Sequence, residues 1–420
     1  MSEFIRKEIC EGVAFNSITD NRFKMGRISA TLIVPLERKT ASANALLSCV
    51  LTRSCKEYPD FTALSRKLGS LYGAALYPSV QRYGDFQAVT ISIAGIEDKF
   101  TLDNTSISSE LTELLCSIIF EPNIIDGHFN EEDVEQERRQ LIETIDAEFN
   151  DKRLYAINRC IEVMCRDELF SIGRYGNRED VAALTNEDIY NAWRNLLDNA
   201  RVELTMLGNT NPDKAFESFK KYFENKPRCQ NSTTKIVENA TEIRRVVETE
   251  DVAQSKLVMG YRCAYPETNE EYVANSLMSA ILGGTPTSKL FTNVREKMSL
   301  CYYCVSRVDS NKGIMLIDSG VETGNIEKAE KAITEQLNSM IRGNITDEEL
   351  NSAKLALKNS YISLLDSLAS MQGFYVGGLL RNMPLTPQQA AELVDKITKE
   401  QVILLAKRIT PDTVFSLIGN

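Results

Sequence analysis

The spacing of hydrophobic and polar positions along the chain changes repeatedly, and each change of period predicts an element. Ile28 to Leu36 and Val89 to Ile96 alternate and are rich in β-branched residues, which predicts strands. Ser42 to Thr52 is small and mostly apolar, which predicts a buried helix. Asp60 caps a helix that carries Leu64, Leu68 and Leu71, and Ser106 to Phe120 is amphipathic. Asn130 opens a long charged helix to about Asn150, Asp151 leads into another ending near Cys165, and Thr185 starts one through Leu197. Val202 to Leu207 is a strand that closes on Gly208-Asn209.

After a polar stretch the pattern begins again. Lys256 to Arg262 predicts a strand, Thr268 to Leu282 a helix, and Gly313 to Glu322 a second strand. Asn325 to Ile341 is amphipathic and Thr346 starts a long helix. Three local matches tie the passes together. Phe129-Asn-Glu-Glu-Asp-Val matches Ile345-Thr-Asp-Glu-Glu-Leu. Leu184-Thr-Asn-Glu-Asp-Ile matches Ile397-Thr-Lys-Glu-Gln-Val, and Thr205-Met-Leu-Gly-Asn matches Ser416-Leu-Ile-Gly-Asn. Their offsets are 216, 213 and 211 residues, in the same order. The pattern predicts an α+β protein of two homologous halves, each a mainly antiparallel sheet with helices packed on it. Residues 1–224 form the first half, 225–250 a linker and 251–420 the second half.

Composition narrows the function. With 420 residues, 43% hydrophobic and 25% charged, the chain suits two globular domains. A formal charge of -11 without any basic block argues against nucleic acid as a partner. No apolar run reaches 18 residues, so no membrane span is expected, and the N-terminus lacks the apolar core of a signal peptide. Ten cysteines without a regular framework suit a reducing cytoplasm.

The most informative stretch is Gly283 to Cys304. The Gly283-Gly284 loop is read either as the wall of a substrate channel or as an ordinary turn between helices. Pro286 is expected at the first helical position, with Leu290, Val294 and Met298 on one apolar face. Leu300 to Val305 reads as a strand. Arg295 near the helix end and Tyr302 at the strand start are both neutral-pH hydrogen-bond donors that could polarise a carbonyl. Cys301-x-x-Cys304 has the spacing of a redox dithiol, but it falls in a strand rather than at a helix N-terminus, which favours two buried side chains. The acidic run Glu131 to Glu148 reads as the solvated face of a helix.

The repeat, together with the run Arg295-Glu-Lys-Met-Ser-Leu-Cys-Tyr302, resembles the pitrilysin/insulinase family of zinc peptidases, which includes the mitochondrial processing peptidase subunits. The resemblance covers nearly the whole chain. Active members carry H-x-x-E-H on a helix of the first half, with a later Glu completing the zinc site. Alignment through Lys56-Glu57-Tyr58-Pro59 places that motif on Ala45, Ser48 and Cys49. Glu137-Arg138 is kept in the later helix, but the ligand position falls on Thr144, beside Glu143. The chain has one histidine, His128, expected on the surface, so no His-Glu-His set can form and no metal cofactor is expected. Cys49 as a nucleophile lacks a base.

The resemblance also implies that Arg295 and Tyr302 reach a bound peptide. The expected function is therefore the non-catalytic, cytoplasmic subunit of a heterodimeric zinc metallopeptidase, inactive alone. A homologous H-x-x-E-H subunit would be its partner, and this chain would supply half of a closed chamber. The alternative is a peptide-binding or scaffold protein that self-associates as a homodimer and never cleaves.

Overall fold

The structure, a computed structural model, describes residues 3–102, 105–224, 226–228 and 233–419. Part of the expected linker (225 and 229–232) and Asn420 of the terminal match lie outside the described residues, as does Cys229.

In chain order the chain opens with strands β1 (Glu3–Cys10), β2 (Val13–Thr19) and β3 (Met25–Pro35) and helices α1 (Arg38–Val50) and α2 (Phe61–Ser70). Strands β4 (Ala75–Tyr83) and β5 (Phe86–Ile96), helix α3 (Ile107–Phe120) and a short ladder of β6 (Ile124–Ile125) with β7 (His128–Phe129) follow. Then come α4 (Glu131–Asn150), α5 (Lys152–Met164), α6 (Arg178–Ala183), α7 (Asn186–Asn199), β8 (Arg201–Gly208) and α8 (Asp213–Phe223). The later part holds β9 (Arg244–Glu250), β10 (Ser255–Arg262), α9 (Asn269–Ser279), β11 (Cys301–Asp309) and β12 (Ile314–Val321). It ends with α10 (Ile326–Ile341), α11 (Asp347–Ser363), α12 (Leu368–Leu380), α13 (Pro387–Lys396), α14 (Lys399–Ala406) and β13 (Thr410–Gly419).

The chain divides into two compact units. The first comprises Met1–Asp146 with Ile172–Thr233, the second Ala147–Ser171 with Thr234–Asn420. The excursion of 147–171 into the second unit has a simple cause. α5 presents Ala156 and Cys160 to Val258, Phe415 and Leu417, which face them from β10 and β13.

The first sheet runs β1-β2-β8-β3-β5-β4 and the second β9-β13-β10-β12-β11. Without β1 the two orders coincide strand for strand. β2 and β8 are parallel, as are β9 and β13, and every other neighbour is antiparallel. The chain is thus an α+β protein of two homologous halves. β9 lies within the stretch read from sequence as a linker and forms the edge of the second sheet. The central strands β3 and β10 are buried along most of their length.

The matched caps behave alike. Thr185 at α7 and Thr398 at α14 each form a reciprocal capping box with the residue three positions on, Asp188 and Gln401. Asn130 accepts from the backbone of Asp133 at 3.1 Å, and Thr346 from that of Glu349 at 3.1 Å. Each satisfies a donor that a helix N-terminus would otherwise leave open.

Candidate functional site

Helix α1, on which the zinc motif of active family members aligns, is buried on almost every side. Ala45 and Ser48 are each 1% exposed, and Ala45 packs with Leu46, Leu47 and Val50 in the first core. Ser48 Oγ donates to the Ala45 carbonyl at 2.7 Å. Burial pushes the Cys49 thiol up to about 11, the hydrogen bond with Ser48 offsets part of this, and the charge of Glu137 adds to it. A neutral thiol without a neighbouring base is no nucleophile.

The N-terminal half of α1 is locked in turn. Asn44 Nδ2 donates to Gln87 Oε1 at 3.0 Å, and Gln87 Nε2 donates to the carbonyls of Ala41 and Arg174 at 2.9 and 2.7 Å. Arg82 holds the same loop through the Ile172 carbonyl at 2.9 Å. Gly176, with φ +71°, lies so close to Ser42 that a Cβ there would meet Ser42 Oγ at 1.9 Å, so only glycine fits.

Beyond α1, Arg53 binds the facing helix α4. Its Nε lies 3.2 Å from Asp133 Oδ1, its Nη1 3.6 Å from Glu137 Oε1, and Nη2 donates to Gln136 Oε1 at 3.1 Å. The guanidinium also covers the Phe61 ring at 4.2 Å. Burial raises the Glu137 carboxyl above its ordinary range, Arg53 opposes this, and Asp133 reinforces it. Thr144 is exposed, its Oγ1 donating to Gln140 O at 2.9 Å, and Glu143 is exposed beside it. His128 is exposed on β7.

A zinc site needs at least three nitrogen, sulfur or carboxylate ligands converging on one point. Among the described residues no group of three His, Cys, Asp or Glu could hold a metal. The residues present therefore do not fit the family's zinc, and a guanidinium cross-link ties α1 to α4 there instead. No local pattern points to Arg53, because only the fold brings it against Asp133 and Glu137.

The corner in the second unit is built differently. After α9 the backbone continues as a wider π turn over Ala280–Gly284. Gly283 is needed there because a Cβ would lie 2.7 Å from the Ser306 backbone nitrogen. Lys289, 5% exposed, donates to both carboxylate oxygens of Glu349 at 2.8 and 2.9 Å, which fixes the loop to the start of α11. Pro286 lies in a turn before the helical segment Leu290–Lys297, not at its first position, since the Ser288 amide closes a turn onto the Thr285 carbonyl at 3.1 Å. Leu290 and Val294 are fully buried, as the spacing predicts. Met298 is not: it is 50% exposed, because the helix ends there and Ser299, at φ +51°, turns the chain toward β11.

Arg295 and Tyr302 flank this corner, one on the helical segment and one on the strand. Arg295 is exposed, with its guanidinium over the Phe291 ring at 4.5 Å. Tyr302 is 58% exposed, and its hydroxyl reaches Glu322 Oε1 only at 3.5 Å, the limit of a hydrogen bond. Both side chains thus carry donors that a ligand can take up. Glu322, on the turn after β12, is a neighbour no sequence signal indicated.

Two sheets of one topology, a helix stripped of zinc ligands and an exposed Arg/Tyr corner define a zinc-peptidase-like protein without the metal. The profile of the Peptidase M16 inactive domain matches residues 183–357. A Bacillus subtilis relative, "Probable inactive metalloprotease YmfF", is 28% identical over 97% of this chain and 96% of its own length. A crystal structure of a conserved protein from Enterococcus faecalis superposes with a TM-score of 0.90 at 26% identity, covering 99% of each chain. A protease from Helicobacter pylori shares the fold, with a TM-score of 0.76 at 17% identity over 99% of each chain. By these matches the chain is similar to the M16 peptidases, and with a single histidine it carries no H-x-x-E-H. No helix among the described residues is long and apolar enough to cross a membrane.

Proposed function

We propose that this chain is the non-catalytic subunit of a two-chain zinc peptidase. The observation that carries the reading is the contrast within one molecule. The metal position is packed shut, while Arg295 and Tyr302 stay exposed on a well-anchored corner. A homologous subunit bearing H-x-x-E-H supplies the metal and the general base, and this chain supplies half of the enclosing chamber. Arg295 and Tyr302 donate to the peptide carbonyl oxygen at which negative charge develops. Such donors act without changing their own ionisation and are set in place before the reaction. Cys49, Cys116, Cys263, Cys301 and Cys304 are among the described cysteines with free thiols, which suits a cytoplasmic complex.

The test is reconstitution with an H-x-x-E-H homologue encoded beside it or co-purifying with it. Tyr302→Phe in this chain removes one hydroxyl and leaves the ring. The expected result is a complex that assembles normally and cleaves peptides far more slowly. A mutant complex that cleaves at the wild-type rate leaves the pair structural and favours the homodimeric scaffold.

A further inference from the structure

Cys301 and Cys304 lie next to this corner, and in a regular strand residues three apart point to opposite faces. Here they do not. Opposite β12, Cys301 pairs with Val321, Tyr303 with Gly320 and Cys304 with Ser319, so the strand carries an extra residue at Tyr302. Directly paired residues share a face, and Val321 and Ser319 are two apart on β12. The bulge therefore turns both thiols to one side, where Cys301 (9% exposed) and Cys304 (3%) enter the second core. The two-residue step on β12 sets their Cα atoms about 7 Å apart, at the upper edge of what a disulfide spans.

The two thiols are electrostatically unequal. The hydrogen bond from Cys304 lowers the Cys301 thiol below its ordinary value against the effect of burial, and the Arg295 guanidinium adds to the lowering. Ser319, whose Oγ also donates to the Tyr303 carbonyl at 3.0 Å, lowers the Cys301 thiol as well. Cys304 is pushed up, first by its partner and then by burial. Burial pushes up the thiols of Cys49, Cys116, Cys160 and Cys263 as well. An ionisable thiol beside a protonated one is the pairing of an attacking and a resolving cysteine.

We propose that Cys301 and Cys304 form a redox dithiol that hydroperoxides oxidise to an intrachain disulfide, closed by contraction of the β11 bulge. In the first step the Cys301 thiolate attacks one peroxide oxygen and the O–O bond breaks. This forms the Cys301 sulfenic acid and releases hydroxide from hydrogen peroxide, or the alkoxide from an organic hydroperoxide. In the second, the Cys304 sulfur attacks the Cys301 sulfur. The S–O bond breaks, and the departing hydroxide leaves as water with the proton that Cys304 gives up. Two electrons pass from the thiol pair to the peroxide. Because the Cα separation must shrink, the bond is strained and easily reduced by small thiols, as in a switch rather than a permanent cross-link. Tyr302 lies inside the ring so closed. The dithiol itself is independent of any role of Tyr302 in peptide binding.

Hydrogen peroxide added to the reduced full chain tests this, followed by alkylation and peptide mapping. The expected result is loss of both thiols and of two hydrogens in the peptide spanning Cys301 and Cys304, reversed by dithiothreitol. Cys304→Ser should instead hold a sulfenic acid at Cys301 that dimedone traps, and Cys301→Ser should form neither product. Should either variant fail to fold, phenylarsine oxide on the wild-type chain is the second measurement. One equivalent bound by these two cysteines and resistant to a monothiol is expected. Oxidation confined to other cysteines, oxygen gained at Cys301 without a disulfide, or no dithiol-type arsenical binding would each overturn the proposal.

Discussion

The two units are built on one sheet topology, yet they treat charge in opposite ways. In the second unit Arg262, a core side chain 2% exposed, lies 2.7 Å from both Glu168 and Asp412. Lys312, fully buried, meets Glu168 at 2.9 Å and donates to the Lys235 carbonyl at 2.7 Å. In the first unit the buried Glu203 draws its partners from the rim, Arg6 and Arg201, with Asn16 donating at 2.9 Å. The candidate sites differ as well, the first unit sealing its helix with small side chains and the second presenting long donors. The same sheet carries a closely packed helix in one copy and an exposed Arg/Tyr corner in the other.

The largest effect is expected from breaking the buried cluster. Arg262→Met leaves Glu168 and Asp412 with weaker partners, and removal of one member of a buried ion pair costs about 3–5 kcal/mol. Urea unfolding should show it. Arg6→Met, at a half-exposed position where Glu203 retains Arg201 and Asn16, should cost no more than about 1 kcal/mol. Equal losses would erase the contrast.

Next comes the Arg295/Tyr302 corner. In the reconstituted pair, Tyr302→Phe or Arg295→Ala should lower kcat by about 10²–10³-fold, the usual effect of removing one preorganised donor. Size-exclusion chromatography should show assembly unchanged. The corresponding change at the closed site, Cys49→Ala, should leave the rate alone.

A stability loss is also expected from forcing the first unit open. The purified chain should retain no stoichiometric zinc by elemental analysis. The triple variant A45H/S48E/C49H restores the ligand types on α1, but Ala45 and Ser48 have no free volume. Overpacking of this kind costs about 1–3 kcal/mol per site, so a less stable chain is expected rather than a tight zinc protein. One equivalent of tightly held zinc with unchanged stability would show that α1 has room.

The smallest effect is a pair of opposite pH slopes. Burial raises the Glu168 carboxyl, but the hydrogen bonds from Arg262 and Lys312 outweigh it and hold it below the ordinary carboxylate range. A carboxyl lowered in the folded state contributes stability above its unfolded value, and this is lost as pH falls through the folded one. Burial leaves Glu137 raised despite Arg53. Its contribution is present below its unfolded value and is lost as pH rises through the raised one. Glu168→Gln should therefore remove part of the acid sensitivity, whereas Glu137→Gln should gain on wild type as pH rises. Denaturant midpoints across pH 3–8, roughly the range carboxylates span in proteins, would check both, and slopes of the same sign would refute the assignment.

How much was legible beforehand follows from how local each signal is. The caps at Thr185, Thr346 and Thr398 were readable because a capping box is closed within four residues. β3 was readable from its alternating, β-branched residues. β1 and β2 were not singled out: β2 buries Asn16 and Ser17 among its apolar residues, and those polar groups are satisfied only by distant partners such as Glu203. Met298 keeps the helical spacing of Leu290 and Val294 but falls where the helix stops, a boundary fixed by the backbone turn at Ser299.

By itself the sequence determined the repeat and the α+β class, through local matches and hydrophobic periods, and the absence of H-x-x-E-H, since one histidine cannot supply two. It also placed Arg295 and Tyr302 on a helix and the strand that follows. Only the tertiary structure decided that α1 is packed shut, that Arg53 ties it to α4, and that a bulge turns Cys301 and Cys304 to one side. Each of those depends on which strand or helix lies opposite, and that pairing joins residues too far apart in the chain for any local pattern to record.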